Sequence, residues 1–139
     1  MEERNLSMLC DFYELTMGNG YFKNGFYNKY TYFDVFFRTV PDRGGFAIAA
    51  GLEQIIRYLE QLRFTEEDIA YLRARKLFDE EFLSYLRNFR FTGDLYAVPE
   101  GTPVFPNEPI LTVRAPAIEA QLIETFLLLT LNHQSLIAT

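Results

Sequence analysis

The chain has 139 residues, a formal net charge of −6 and one cysteine, Cys10. That is a single domain's length of chain. The acidic balance, with no lysine or arginine run, excludes a nucleic-acid partner, and a lone cysteine excludes an internal disulfide framework and fits a reducing, cytoplasmic compartment. The longest apolar stretch, Phe126 to Leu131, contains Thr130 and is too short to cross a membrane, and the acidic start Met1-Glu2-Glu3-Arg4 is no signal peptide.

Asp11 to Phe22 reads as the first helix, with Asp11 at the N-cap and Glu14 three residues on as its capping-box partner. Phe12, Leu15 and Phe22 form one apolar stripe. Tyr13, Met17 and Tyr21 form a second on a neighbouring face. Two stripes call for burial from two directions, by the helix's own core and by a second domain or subunit. Gly18 and Gly20 weaken the helix and are expected to permit close backbone approach. Residues 24–29 read as a turn.

Residues 30–39 alternate as a strand does, with Thr31, Phe33, Val35 and Phe37 on one face and Tyr32, Asp34, Phe36 and Arg38 on the other. Asp34 and Arg38 would then form a same-face ion pair. Pro41 to Gly45 is a loop, and Phe46 to Ala50 a short strand. Leu52, Ile55, Ile56, Leu59 and Leu62 recur at helical spacing. Thr65 opens a third helix with Glu66, Glu67 and Asp68 in its first turn, and Asp79 caps a fourth that buries Phe82, Leu83, Leu86 and Phe89.

Three short strands follow, near residues 95–98, 102–105 and 110–114, separated by Pro99-Glu100-Gly101 and Pro106-Asn107-Glu108-Pro109. Pro116 then starts a final helix over 117–139 that buries Ile118, Leu122, Ile123, Phe126, Leu127 and Leu131. With no C-cap glycine, terminal lysine or proline at Thr139, that helix is expected to continue beyond it. The order helix, strands, helices, strands, helix indicates an α+β fold with a mostly antiparallel sheet.

Chemistry-bearing patterns are few. There is one histidine, His133, and no metal-ligand spacing, Walker sequence or dinucleotide fingerprint. Cys10 and His133 could form a dyad, but both read more simply as structural residues, with His133 packed or hydrogen-bonded on the last helix. Arg43-Gly44-Gly45 could cradle a phosphate or be only a turn. Tyr13, near a helix start, offers a flat face to a heteroaromatic ring and a hydroxyl to a polar edge; on residue chemistry alone it reads as a core aromatic.

The stretch Cys10-Asp11-Phe12-Tyr13-Glu14-Leu15-Thr16-Met17-Gly18-Asn19-Gly20-Tyr21 resembles the opening of nicotinate phosphoribosyltransferases, T-D-x-Y-x-x-T-M-x-x-G-Y, with Cys10 in place of threonine. Further resemblances follow in order: Phe36-Phe37-Arg38, Gly44-Gly45-Phe46-Ala47, Ala50-Gly51-Leu52, Pro99-Glu100-Gly101 with Pro109, and the last helix ending Ser135-Leu136-Ile137-Ala138-Thr139. The resemblance implies that residues 1–115 are the α/β-hammerhead-like N-terminal domain of a type II phosphoribosyltransferase. Residues 116–139 would begin the link to an α/β barrel that this chain lacks.

It implies, too, an enzyme of NAD biosynthesis that joins nicotinate to phosphoribosyl pyrophosphate, coupled to ATP hydrolysis. Magnesium would accompany the pyrophosphate, and magnesium and ATP would bind mainly the barrel. In a head-to-tail homodimer, Tyr13 would stack on the nicotinate ring in the partner's barrel. Quinolinate phosphoribosyltransferases resemble this plan but carry Glu-Arg-Thr where this chain has Glu124-Thr125-Phe126. Nicotinamide phosphoribosyltransferases continue differently after their tyrosine. A chain complete at 139 residues would instead be a non-catalytic dimerisation or binding module.

Overall fold

The computed structural model describes residues 5–40 and 43–139; the Met1 to Arg4 start and Pro41-Asp42 of the loop lie outside the described residues. In chain order the elements are α1 (Phe12–Lys23), β1 (Tyr30–Val35), β2 (Ala47–Ile48), α2 (Leu52–Gln61), α3 (Glu66–Ala74), α4 (Glu80–Arg87), β3 (Asp94–Ala97), β4 (Pro103–Val104), β5 (Leu111–Pro116), α5 (Ala117–Leu122) and α6 (Glu124–Ala138). The strands pair antiparallel throughout, in a three-stranded sheet ordered β1-β5-β3 and a two-stranded ribbon of β2 and β4. The α+β class and the antiparallel sheet are as the sequence indicates.

One core holds the helices against the inner face of the three-stranded sheet. Leu15 of α1, Ile55 of α2, Ile69 of α3, Phe82 of α4, Val113 of β5 and Ile118 of α5 all lie within it. Strand β5 is central and buries alternate residues, as a strand covered on one face must. The other face of the sheet is exposed and polar. There Arg114 bonds to Asp94 at 2.8 Å and to the Tyr32 hydroxyl at 3.1 Å, across both neighbouring strands.

The anticipated Asp34–Arg38 pair does not form. Strand β1 ends at Val35, so the alternation does not carry Arg38 onto its face, and Asp34 accepts instead from Thr112, its register partner, at 2.6 Å. Similarly, Asp79 occupies the N-cap of α4 but its side chain does not cap it. Its carboxylate accepts from Asn19 of α1 at 3.2 Å, and its own N–H donates to Asn19 Oδ1 at 3.1 Å. The start of α4 is thus tied to α1 through Asn19. Thr65 does cap α3, in a reciprocal box with Asp68.

Helix α1 ends in a left-handed turn at Gly25, with φ of 73°. Phe26 N–H donates to Tyr21 O and Gly25 N–H to Phe22 O, the Schellman pattern that needs a residue without a Cβ penalty at this position. Gly18 admits Phe82 of α4, whose ring edge lies 3.2 Å from where a Cβ would stand. Gly20 has open space around it, so only the first of the two glycines serves close approach.

Three distant stretches meet at one seam beside α6. Glu100 accepts from Gly51 N–H at 2.7 Å, Gly101 N–H donates to Ala49 O at 2.8 Å, and Ala50 N–H donates to Ser135 Oγ at 3.1 Å. Gly51 has φ of 105°, and a Cβ there would press on the Thr130 carbonyl at 3.2 Å. Glycine lets this backbone turn and touch α6 at once.

The final helix is broken in two. Ile123 interrupts it, with α5 ending at Leu122 and α6 starting at Glu124. Isoleucine has no side-chain acceptor, so the first amides of α6 need a partner from elsewhere.

Candidate functional site at the start of the first helix

That partner is Glu14. Its Oε1 accepts from the Thr125 N–H at 3.1 Å and from Thr125 Oγ1 at 2.7 Å. Thr125 Oγ1 in turn accepts from the Asp11 N–H at 3.1 Å. The expected capping box in α1 is therefore not made. Asp11 stands at the N-cap with no side-chain cap bond, and Glu14 turns inward to cap α6. The reason is geometric: Glu14 lies one turn before the buried Gly18, on the face α1 presses into the core, next to the uncapped helix start left by Ile123.

Glu14 is fully buried, and its Oε2 has no hydrogen-bond partner among the described residues. Burial outweighs the two bonds from Thr125 and pushes its carboxyl from near 4.5 up to about 7. The folded state therefore binds this proton more tightly than the unfolded state. Stability from this group is full below about pH 4.5 and is lost as pH rises through about 7, on the order of 3 kcal/mol over that window. Wild-type protein should lose stability relative to Glu14→Gln as pH goes from 5 to 8. Denaturant midpoints of the two proteins at both pH values check this, and a constant difference would refute it.

Tyr13, one residue before Glu14, points the other way. It is 46% exposed, so it is no core aromatic of this chain. Its hydroxyl donates to Glu124 Oε1 at 3.3 Å, and Glu124 Oε2 accepts from Gln121 Nε2 at 3.0 Å. Partial burial and the Glu124 carboxylate push the phenol up, so it stays a donor at neutral pH. The hydroxyl end of the ring is thereby held while nearly half of the residue stays exposed. Of the two stripes on α1, the first carries the buried Leu15, with Phe22 against Phe82 and Tyr85. The second is open at Tyr13 and Met17.

Glu124 also heads an apolar trough between β1 and α6. Its first part is a cavity of about 400 Å³ lined by Phe33, Val35, Phe36, Ala120, Glu124 and Leu128. A second part, about 260 Å³, continues past Leu128 to Leu129 and Asn132. Tyr13 is thus tied, through Glu124, to a largely apolar groove that carries a second carboxylate, Asp34, among its lining residues.

The other candidate residues do not join this site as a reactive set. Cys10 is half-buried beside it, and burial, with Glu14 and Asp11 nearby, pushes its thiol up to about 12, which leaves it un-ionised and inert as a nucleophile. His133 is exposed, not packed, and lies eight residues beyond Thr125 on α6, about 12 Å along its axis. Arg43, Gly44 and Gly45 are exposed, with Arg43 in a left-handed turn at φ of 55°. Among the described residues no three His, Cys, Asp or Glu side chains cluster to hold a metal, and no helix is long and apolar enough to cross a membrane. Sequence reasoning missed Glu124 and Thr125 as partners of α1. The one available signal was Glu14 itself, an acid on the buried face of an apolar helix.

Comparison with known proteins bears on this arrangement. Residues 8–132 match the family model of the nicotinate phosphoribosyltransferase (NAPRTase) N-terminal domain. A nicotinate phosphoribosyltransferase of Bacillus subtilis is 46% identical over 138 residues, covering 99% of this chain and 28% of that protein. One from Mycobacterium tuberculosis is 44% identical over 133 residues, covering 96% and 28%. The crystal structure of human nicotinic acid phosphoribosyltransferase superposes with a TM-score of 0.86 at 36% identity, over 93% of this chain and 26% of that one. A nicotinate-nucleotide pyrophosphorylase from Pyrococcus furiosus, at TM-score 0.64 and 20% identity, shares the fold. This chain spans about a quarter of the length of the relatives it matches. It belongs to the nicotinate phosphoribosyltransferase family, of which it carries the N-terminal domain.

Proposed function

We propose that this chain is the N-terminal part of an enzyme that joins nicotinate to phosphoribosyl pyrophosphate, releasing pyrophosphate and forming nicotinate mononucleotide with ATP hydrolysis coupled. The observation that carries the reading is Tyr13 itself, nearly half exposed and held at its hydroxyl by Glu124. In the reaction the pyridine nitrogen bonds to the anomeric carbon as the bond to pyrophosphate breaks. Tyr13 moves no proton; it holds the plane of the nicotinate ring, so its contribution is orientation.

In this reading residues 1–115 form the N-terminal domain and 116–139 lead toward a barrel, although α5 and α6 pack into the same core as the rest. A head-to-tail homodimer would bring Tyr13 to the partner's barrel, and the open stripe of α1 suits that contact. Phosphoribosyl pyrophosphate with its magnesium, and ATP, are assigned to the barrel. Among the described residues, the acids and the histidine do not gather into a metal site.

The test is nicotinate-dependent consumption of phosphoribosyl pyrophosphate, with and without ATP, by the longest product of this reading frame. The 139-residue chain is the control. Turnover by the longer product alone is expected. Turnover by the 139-residue chain would overturn the division of labour, and turnover with quinolinate or nicotinamide in place of nicotinate would overturn the substrate.

A further inference from the structure

The buried Glu14 has no part in the reaction as described, yet it sits directly behind Tyr13 and ties together the two helices that hold that ring. Through Thr125 it fixes the first turn of α6 to the first turn of α1. Glu124, adjacent to Thr125, is the residue that holds the Tyr13 hydroxyl. Gln121 of α5 holds the other oxygen of Glu124 across the Ile123 break. Ile123 offers no side-chain cap, so Glu14 supplies the side-chain acceptor for the Thr125 amide at the start of α6.

We propose that Glu14 is a positioning residue for Tyr13: its carboxyl clasps Thr125, seats the start of α6 against α1, and so sets Glu124 under the tyrosine hydroxyl. The inference rests on the reading that the Tyr13 ring meets nicotinate. A rigid clasp suits that task. The ring is on the surface, where a tyrosine otherwise samples several rotamers, and stacking gains most from a ring already fixed in its bound orientation.

The test uses the longest product of the reading frame, with Glu14→Ala, Glu14→Gln, Thr125→Val and Tyr13→Ala alone, and Glu14→Ala combined with Tyr13→Ala. Glu14→Ala is expected to raise KM for nicotinate about fivefold, as much as losing the Tyr13 hydroxyl anchor itself, while kcat and KM for phosphoribosyl pyrophosphate hold. Thr125→Val, which keeps the shape but removes the hydroxyl, should reproduce that rise. Glu14→Gln, whose amide oxygen still accepts both Thr125 bonds, should stay within about twofold of wild type. The double variant should be no worse than Tyr13→Ala alone.

Effects that multiply in the double variant would show that Glu14 acts elsewhere and overturn the proposal. So would a Glu14→Ala protein with normal KM beside a Tyr13→Ala protein with a raised one. If Tyr13→Ala itself leaves KM unchanged, the stacking reading falls and the positioning role falls with it.

Discussion

Tyr13→Ala in the longest product of this reading frame should raise KM for nicotinate by about 10- to 100-fold and leave the melting temperature almost unchanged. Stacking of a heteroaromatic ring on an aromatic side chain is worth about 1–3 kcal/mol by alanine substitution, and each 1.4 kcal/mol is a factor of ten. The stability side follows from exposure. The ring is 46% exposed and its hydroxyl bond to Glu124, at 3.3 Å, is long, while alanine favours the helix. Tyr13→Phe keeps the face and loses only the anchor, so its KM should rise a few-fold. Steady-state kinetics and thermal melts on the same preparations decide the matter. A fall of many degrees with unchanged KM would return Tyr13 to the role of a packing residue.

The class and most elements were legible because each rests on a local period. Helix α2 follows from Leu52, Ile55 and Leu59, and β1 from the alternation of Thr31, Phe33 and Val35, and both stand where those patterns lie. What misled were residues whose partners are far away in the chain. Glu14 and Asp11 have the spacing of a capping box, and nothing local distinguishes that from a carboxyl turned to Thr125, 111 residues on. Asp79 looks like a cap and serves instead as the mate of Asn19. The break at Ile123 carries no proline or glycine and falls inside an unbroken apolar pattern, so periodicity runs straight through it.

The site divides the same way. Tyr13 could be singled out by its place at a helix start, and the family pattern pointed to it. The residues that hold it could not be, because Glu124 approaches from a helix that begins over a hundred residues later. The matching stretches around Gly51, Glu100 and Ser135 prove to be one joint, in which backbone amides and short side chains lock the β2 ribbon to α6. None of them lines the trough, and they add no reactive group to it.

Phe82→Ala should be the most damaging single change in the core, costing about 3–5 kcal/mol. The ring is fully buried and lies against Phe22 of α1, Phe78 and Tyr85, with centroids 6.0, 6.1 and 6.2 Å away. Its edge fills the notch at Gly18, so removal opens a cavity directly beneath α1. A helix loosened there carries Tyr13 with it, and KM for nicotinate should rise alongside the loss of stability. Gly18→Ala probes the same contact from the other side. The added Cβ would press on the ring edge at 3.2 Å, which costs packing, while alanine gains about 1 kcal/mol of helix propensity. That variant should therefore melt within a few degrees of wild type. Denaturant unfolding and nicotinate kinetics on both proteins provide the check. If Phe82→Ala unfolds at the wild-type midpoint, α1 is not seated on α4 through this ring, and the rigid placement of Tyr13 must come from the Glu14–Thr125 clasp alone.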